Sequence, residues 1–139
     1  PGEIRLKLQG FRGGVGPQSY DYKCPRRTAV WVRQGGGASG EMSAAFFVDA
    51  LPAKAALVLE ALDDDKPGPT RVRVEVNGKA VFTGPNGARE DDWTALEFPL
   101  PAGTLKRGRN TLRIADLETG KPEDEKWFMI SAARVRLDR

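Results

Sequence analysis

The chain has 139 residues (15.2 kDa), 40% hydrophobic and 29% charged, which is the length and balance of one globular domain. It has no histidine and one cysteine, Cys24. That excludes Ser-His-Asp and Cys-His catalysis, the common zinc sites and an intramolecular disulfide.

Strand signals dominate from the N-terminus onward. Ile4, Leu6 and Leu8 alternate with Arg5, Lys7 and Gln9. Residues 9–27 carry Phe11, Tyr20 and Tyr22. They read as a segment wrapped over the fold, with its aromatics plugging an open edge. Val30 and Val32 alternate with Ala29, Trp31 and Arg33. The Gly35-Gly36-Gly37 run reads as a flexible connection, since it lacks the Lys-Ser/Thr of a phosphate loop. Met42–Val48 and Lys54–Leu62 are apolar runs, and Asp63-Asp64-Asp65 reads as a solvated turn. Val72, Val74 and Val76 alternate with Arg71, Arg73 and Glu75, and Asn77-Gly78 then predicts a tight hairpin into a strand over 79–83. Residues 101–106 offer one helical turn at most. Strands over 94–99, 110–116 and 127–137 complete the set.

About nine strands separated by Gly, Pro, Asn and Asp clusters predict an all-β fold, an antiparallel β-sandwich or jelly roll, over residues 1–139. The chain opens Pro-Gly-Glu without Met and without a signal-peptide pattern, so it reads as a piece of a larger protein. If successive strands run antiparallel, residues 34–41, 63–70, 84–93 and 117–126 gather at one end, where long polar loops favour binding. Residues 9–27, 50–53, 77–78 and 100–108 gather at the other.

Charge is uneven. Residues 1–40 hold seven Lys/Arg against two acids, and residues 41–139 hold fifteen against seventeen. No basic run or RNP-type aromatic motif is present, so a nucleic-acid partner is not expected. No apolar run reaches membrane-spanning length, so neither is a membrane. The basic third is either a solvated face or a lure for an anionic polysaccharide.

Two places could bind sugar, which needs an aromatic face beside hydrogen-bonding side chains. At the loop end, Trp93 stands beside Asn86, Arg89, Glu90, Asp91 and Asp92, and Trp127 follows Glu123, Asp124, Glu125 and Lys126. On a sheet face, parity turns Trp31 and Arg33 to solvent together with Arg5, Lys7, Arg71, Arg73, Arg113, Arg134 and Arg136. The structural alternatives are Trp93 and Trp127 as core residues capping the sandwich, and the arginines as partners of Glu60, Glu75 or Glu97 across strands. Cys24, flanked by Lys23, Arg26 and Arg27, is a small hydrophobe or a thiol whose pKa those cations lower.

The C-terminal half carries the stretch "VNG", a Trp before a strand ending Phe-Pro-Leu-Pro, "L-K-x-G-x-N-T-L-R-I" and a last strand introduced by Trp-Phe-Met. These motifs resemble the galactose-binding-domain-like β-sandwich of accessory modules in bacterial glycoside hydrolases. The resemblance implies a non-catalytic carbohydrate-binding module, secreted or cell-surface, in one polypeptide with a catalytic domain. The alternative it leaves open is a structural sandwich that packs on that domain. Many relatives hold a structural calcium with an acidic ligand at the entry to the last strand. Ser131-Ala132-Ala133-Arg134 has no acid there, a departure that leaves the structural calcium open; no other cofactor is expected.

Overall fold

The computed structural model describes residues 2–34, 37–63, 69–119 and 126–138. Eleven strands run in chain order: β1 (Gly2–Leu6), β2 (Arg12–Gly13), β3 (Val15–Tyr20), β4 (Arg27–Arg33), β5 (Glu41–Val48), β6 (Lys54–Leu62), β7 (Arg71–Val76), β8 (Lys79–Pro85), β9 (Thr94–Leu100), β10 (Gly108–Asp116) and β11 (Trp127–Asp138). The nine expected strands are all present. The two additions, β2 and β3, come from the 9–27 segment, which pairs with the sheets and does not simply wrap over them. The expected helical turn at 101–106 is a non-helical turn closed by Thr104 N donating to Pro101 O at 3.1 Å.

Two antiparallel sheets face each other. Sheet A runs β3-β4-β11-β6-β9, with β1 sharing β11's edge beyond β4. Sheet B runs β2-β5-β10-β7-β8. Alternation sends Val30, Val32, Leu57, Leu59, Phe128, Ile130 and Val135 of sheet A inward against Met42, Phe46, Val72, Val74, Leu112 and Ile114 of sheet B, and all are buried. In β11 the register against β6 slips between Ile130 and Ala132, a bulge at Ser131 that keeps Ala133, Val135 and Leu137 on the inner face.

The most specific part of the sequence resemblance is structural. Asn77 (φ 54°) and Gly78 (φ 80°) form the two-residue turn between β7 and β8. The Asn77 amide donates to Asn110 Oδ1 at 2.8 Å and to Thr104 O at 2.9 Å, and its Oδ1 accepts from Thr111 N at 2.9 Å. Asn110, fully buried, accepts from Lys106 N and donates to Lys106 O and Gly108 O. The "VNG" and "LKxGxNTL" residues therefore pin a hairpin to the turn that precedes β10.

Candidate functional site

The antiparallel alternation brings the expected loops together at one end. Gln34 and Lys126 exchange hydrogen bonds, Asp63 N donates to Arg89 O at 3.0 Å, and Arg71 N donates to Glu118 Oε2 at 2.9 Å. At this end, on the outward face of sheet A, lies a second apolar cluster outside the sandwich core. It buries Ala29, Trp31, Leu62 and Met129, with Val15, Tyr20, Cys24, Trp93 and Trp127 packed around them.

The aromatic rings give this cluster its shape. Trp31 stacks on Trp127, centroids 5.9 Å apart and planes 13° apart, and Tyr20 tilts against Trp31 at 6.5 Å. Trp93 enters from the 84–93 loop. Its indole Nε1 donates to Pro25 O at 2.8 Å, and the Arg27 guanidinium lies 5.6 Å from its ring centroid. Trp93 and Trp127 are partly exposed, whereas Trp31 is only 6% exposed. The expectation that Trp31 faces solvent fails, although its parity is right. The 9–27 segment adds β3 beside β4 and folds residues 21–26 over the outer face, and Trp31 becomes the floor of the cluster. Close approach makes this possible: a Cβ on Gly14 (φ 64°) would meet Trp31 O at 2.7 Å.

The other expected site residues divide. Arg89 pairs with Asp91 (2.9 Å) beside Trp93, both exposed. Asp92 caps the Trp93 backbone N–H at 2.8 Å. Arg33 is exposed and sits opposite Trp127 in the β4–β11 register. Asn86 is buried and internal: its amide donates to Asp63 Oδ2 and to Thr70 O, both at 2.7 Å, and its Oδ1 accepts from Ala88 N. Asp63 is buried too and accepts from Thr70 N at 2.6 Å, so it ties loops together and is not part of a solvated turn. Asp64, Asp65, Gly35, Gly36, Glu123, Asp124 and Glu125 lie outside the described residues. Sequence reading passed over Arg27 as a site residue. A cation at the start of a strand carries no signal of the indole it will meet. Of the 9–27 aromatics, Phe11 joins the main core and Tyr20 the second cluster, but Tyr22 is exposed with Lys23 against it.

The cationic sheet face is also corrected, because its arginines belong to two different faces. On sheet A, Glu60 receives Arg27 and Arg134, each at 2.7 Å, Glu3 receives Arg5 at 2.8 Å, and Arg136 reaches Glu97 and Asp138. The pairs to Glu60 and Glu97 are the cross-strand pairs of the structural alternative, whereas Arg5–Glu3 and Arg136–Asp138 lie within single strands. Burial pushes the Glu60 carboxyl up, but the Arg27 and Arg134 hydrogen bonds outweigh it and hold the carboxyl below its ordinary value. Arg71, Arg73 and Arg113 lie on sheet B.

Cys24 is the small, partly buried hydrophobe of the first alternative, packed on the second cluster, and the flanking cations do not lower its thiol pKa. Burial first, then the Asp21 and Asp92 charges, raise its thiol pKa, and Arg27 opposes them only in part. Asp116, at the loop end of β10, is 8% exposed. Its Oδ1 accepts from Glu118 N at 2.8 Å, and its buried Oδ2 has no partner among the described residues. Burial above all, helped by the nearby Glu118 and Asp63 charges, pushes its carboxyl up to about 7. Within β11, in the stretch the resemblance singles out for calcium, Ser131 accepts from Arg27, and Arg134 reaches Glu60 and Glu3. That stretch presents guanidinium groups where calcium needs oxygens, so its residues do not fit the ion.

No protein-family profile and no curated protein matches the chain. Solved structures do. A family 35 carbohydrate-binding module from an environmental isolate superimposes with TM-score 0.64 at 19% identity, over 98% of this chain and 93% of that one. The family 35 module of Cellvibrio japonicus Abf62 gives 0.65 at 12% identity, over 99% and 95%. A Podospora anserina GH26–CBM35 β-(1,4)-mannanase gives 0.60 at 16% identity, over 99% of this chain and 28% of that one. The fold is the galactose-binding-domain-like β-sandwich that these modules share.

Proposed function

We propose that this chain is a non-catalytic carbohydrate-binding module that holds a linked enzyme on polysaccharide, and that it binds sugar at the loop end of sheet A. The observation that carries this reading is the aromatic cluster there. Trp93 and Trp127 are partly exposed on a buried floor of Trp31, Met129 and Leu62, with Arg27, Arg33, Arg89, Asp91 and Asp92 at the rim. An indole face takes the CH groups of a sugar ring, and the rim supplies donors and acceptors for its hydroxyls. Support also comes from the shared fold, which in one solved neighbour is joined to a mannanase. Linkage of this kind raises the local substrate concentration at the enzyme.

A second reading has one observation behind it. At the opposite end an apolar groove of about 450 Å³ runs between Leu51–Ala55 and Pro99–Leu105, and Leu51 is 52% exposed. A structural sandwich seated on a neighbouring domain would use such a surface.

Affinity gel electrophoresis against neutral mannans, xylans and galactans separates the two. Retardation by one of them is expected, with Trp93→Ala or Trp127→Ala weakening it by roughly tenfold or more while circular dichroism stays unchanged. If no neutral glycan retards the protein, the structural reading takes over; if both folded variants keep the shift, the sugar is held elsewhere and the loop-end site fails.

A further inference from the structure

The outward face of sheet B carries a feature that the loop-end reading does not use. One cross-strand row runs Arg12 (β2), Ser43 (β5), Arg113 (β10): Arg12 is registered with Ser43, and Ser43 with Arg113. Neighbours in such a row lie about 5 Å apart. They line a groove of about 440 Å³ together with Glu41. Glu41 is neutralised by Arg113, which also reaches Glu75 at 3.4 Å. Arg12 has no ion pair among the described residues, and neither does Arg109 at the far end of the same face. Between them the small side chain of Ala45 leaves the path open to Phe47, opposite Arg109 in the register and 64% exposed. Phe47 lies four residues from Ser43 along β5, about 13 Å.

We infer that this face is a second binding surface, for a sulfated polysaccharide. Arg12, Ser43 and Arg113 line this groove from three strands, Arg12 free of an ion pair among the described residues and Arg113 shared with Glu41 and Glu75. A sulfate ester offers three acceptor oxygens in different directions, whereas a carboxylate offers two in one plane. The two unpaired guanidiniums give the face its excess positive charge, so an anionic chain is the complementary partner. Phe47 gives the intervening sugar ring a flat apolar platform.

The test is affinity electrophoresis of the chain at low ionic strength in gels holding dextran, dextran sulfate, polygalacturonate or duplex DNA. Dextran sulfate is expected to retard the protein and dextran not to. The Arg12→Gln/Arg109→Gln double variant should bind roughly tenfold more weakly, and Phe47→Ala, with no change in charge, several-fold more weakly. Trp93→Ala should leave this shift intact, so failure here is separable from failure of the loop-end site, which is scored on neutral glycans. No retardation by dextran sulfate overturns the inference. So does equal retardation by polygalacturonate or DNA, which would mark a non-specific polyanion effect. So does an undiminished shift in either the double variant or Phe47→Ala.

Discussion

The two outward faces of the sandwich use the same residue types to opposite ends. Sheet A turns Arg5, Arg27, Arg134 and Arg136 outward, and each finds a carboxylate, while Arg33 at the loop end has no ion pair among the described residues. Its outward aromatic, Trp31, is buried beneath β3 and the 21–26 segment. Beneath the pairs, Ala56 and Val58 are buried although their parity is outward. Their register partners are Arg136 and Arg134 on β11 and Pro99 and Glu97 on β9, side chains long or bulky enough to cover small neighbours. Sheet B pairs Arg71, Arg73 and Arg113 as well, but leaves Phe47 in solvent and Arg12 and Arg109 without ion pairs among the described residues. Alternation along a strand decides which face a side chain takes. It does not decide whether another segment then covers that face.

The largest effect should come from exchanging the two aromatics for alanine. Trp31→Ala opens a cavity under Tyr20 and Trp127 and should cost about 3–5 kcal/mol in urea unfolding. Phe47→Ala, on the open face, should stay within about 0.5 kcal/mol. Equal losses would mean that the faces do not differ in cover.

Next is Asp116, which sits between the sheets and, unlike the outer-face carboxylates, has an oxygen without a partner among the described residues. In the fold it keeps its proton up to about pH 7, while in the unfolded chain it ionises near the ordinary aspartate value. Between those values the unfolded state binds fewer protons, so stability falls as pH rises through the window. Asp116→Asn should remove that fall and stabilise the protein at pH 7.5 by roughly 2–4 kcal/mol, with little change near pH 4. Thermal melts at the two pH values check it. A variant no more stable than the parent at pH 7.5 would show that Asp116 is solvated.

The smallest effect should be Glu60→Gln, which removes the acceptor shared by Arg27 and Arg134. The pair geometry is good but partly exposed, so about 1 kcal/mol is expected at neutral pH. The Glu60 carboxyl is held below its ordinary value, so its contribution is present above the unfolded pKa and lost as pH falls through the folded one. The cost of the substitution should therefore vanish in acid and shrink in high salt. An undiminished cost at both would assign Glu60 a packing role instead.

Much of the fold was legible because period-two alternation and turn residues are local signals. Nine strands, the Asn77-Gly78 hairpin and the gathering of four loops at one end follow from them. β2 and β3 were not legible. Residues 12–20 hold four glycines or prolines and no clean alternation, and their strand character comes from pairing with β4 and β5. Within the candidate site, Trp93 and Trp127 and their common end were readable from strand counting. The burial of Trp31 and the internal role of Asn86 depend on segments distant in sequence, namely residues 15–26 and the Asp63–Thr70 tie.

By itself the sequence determined the class of fold, the absence of histidine and disulfide chemistry, and the inward or outward parity of each long strand. Those properties are set by composition and by neighbours one or two positions away. Only the tertiary structure decided which arginines are neutralised, which tryptophans reach solvent and where an unpaired charge is left. Each of these depends on a partner brought from elsewhere in the chain. Arg27 and Glu60 are 33 residues apart, and Trp93 and Pro25 are 68 apart. Local alternation carries no information about what such distant residues will meet.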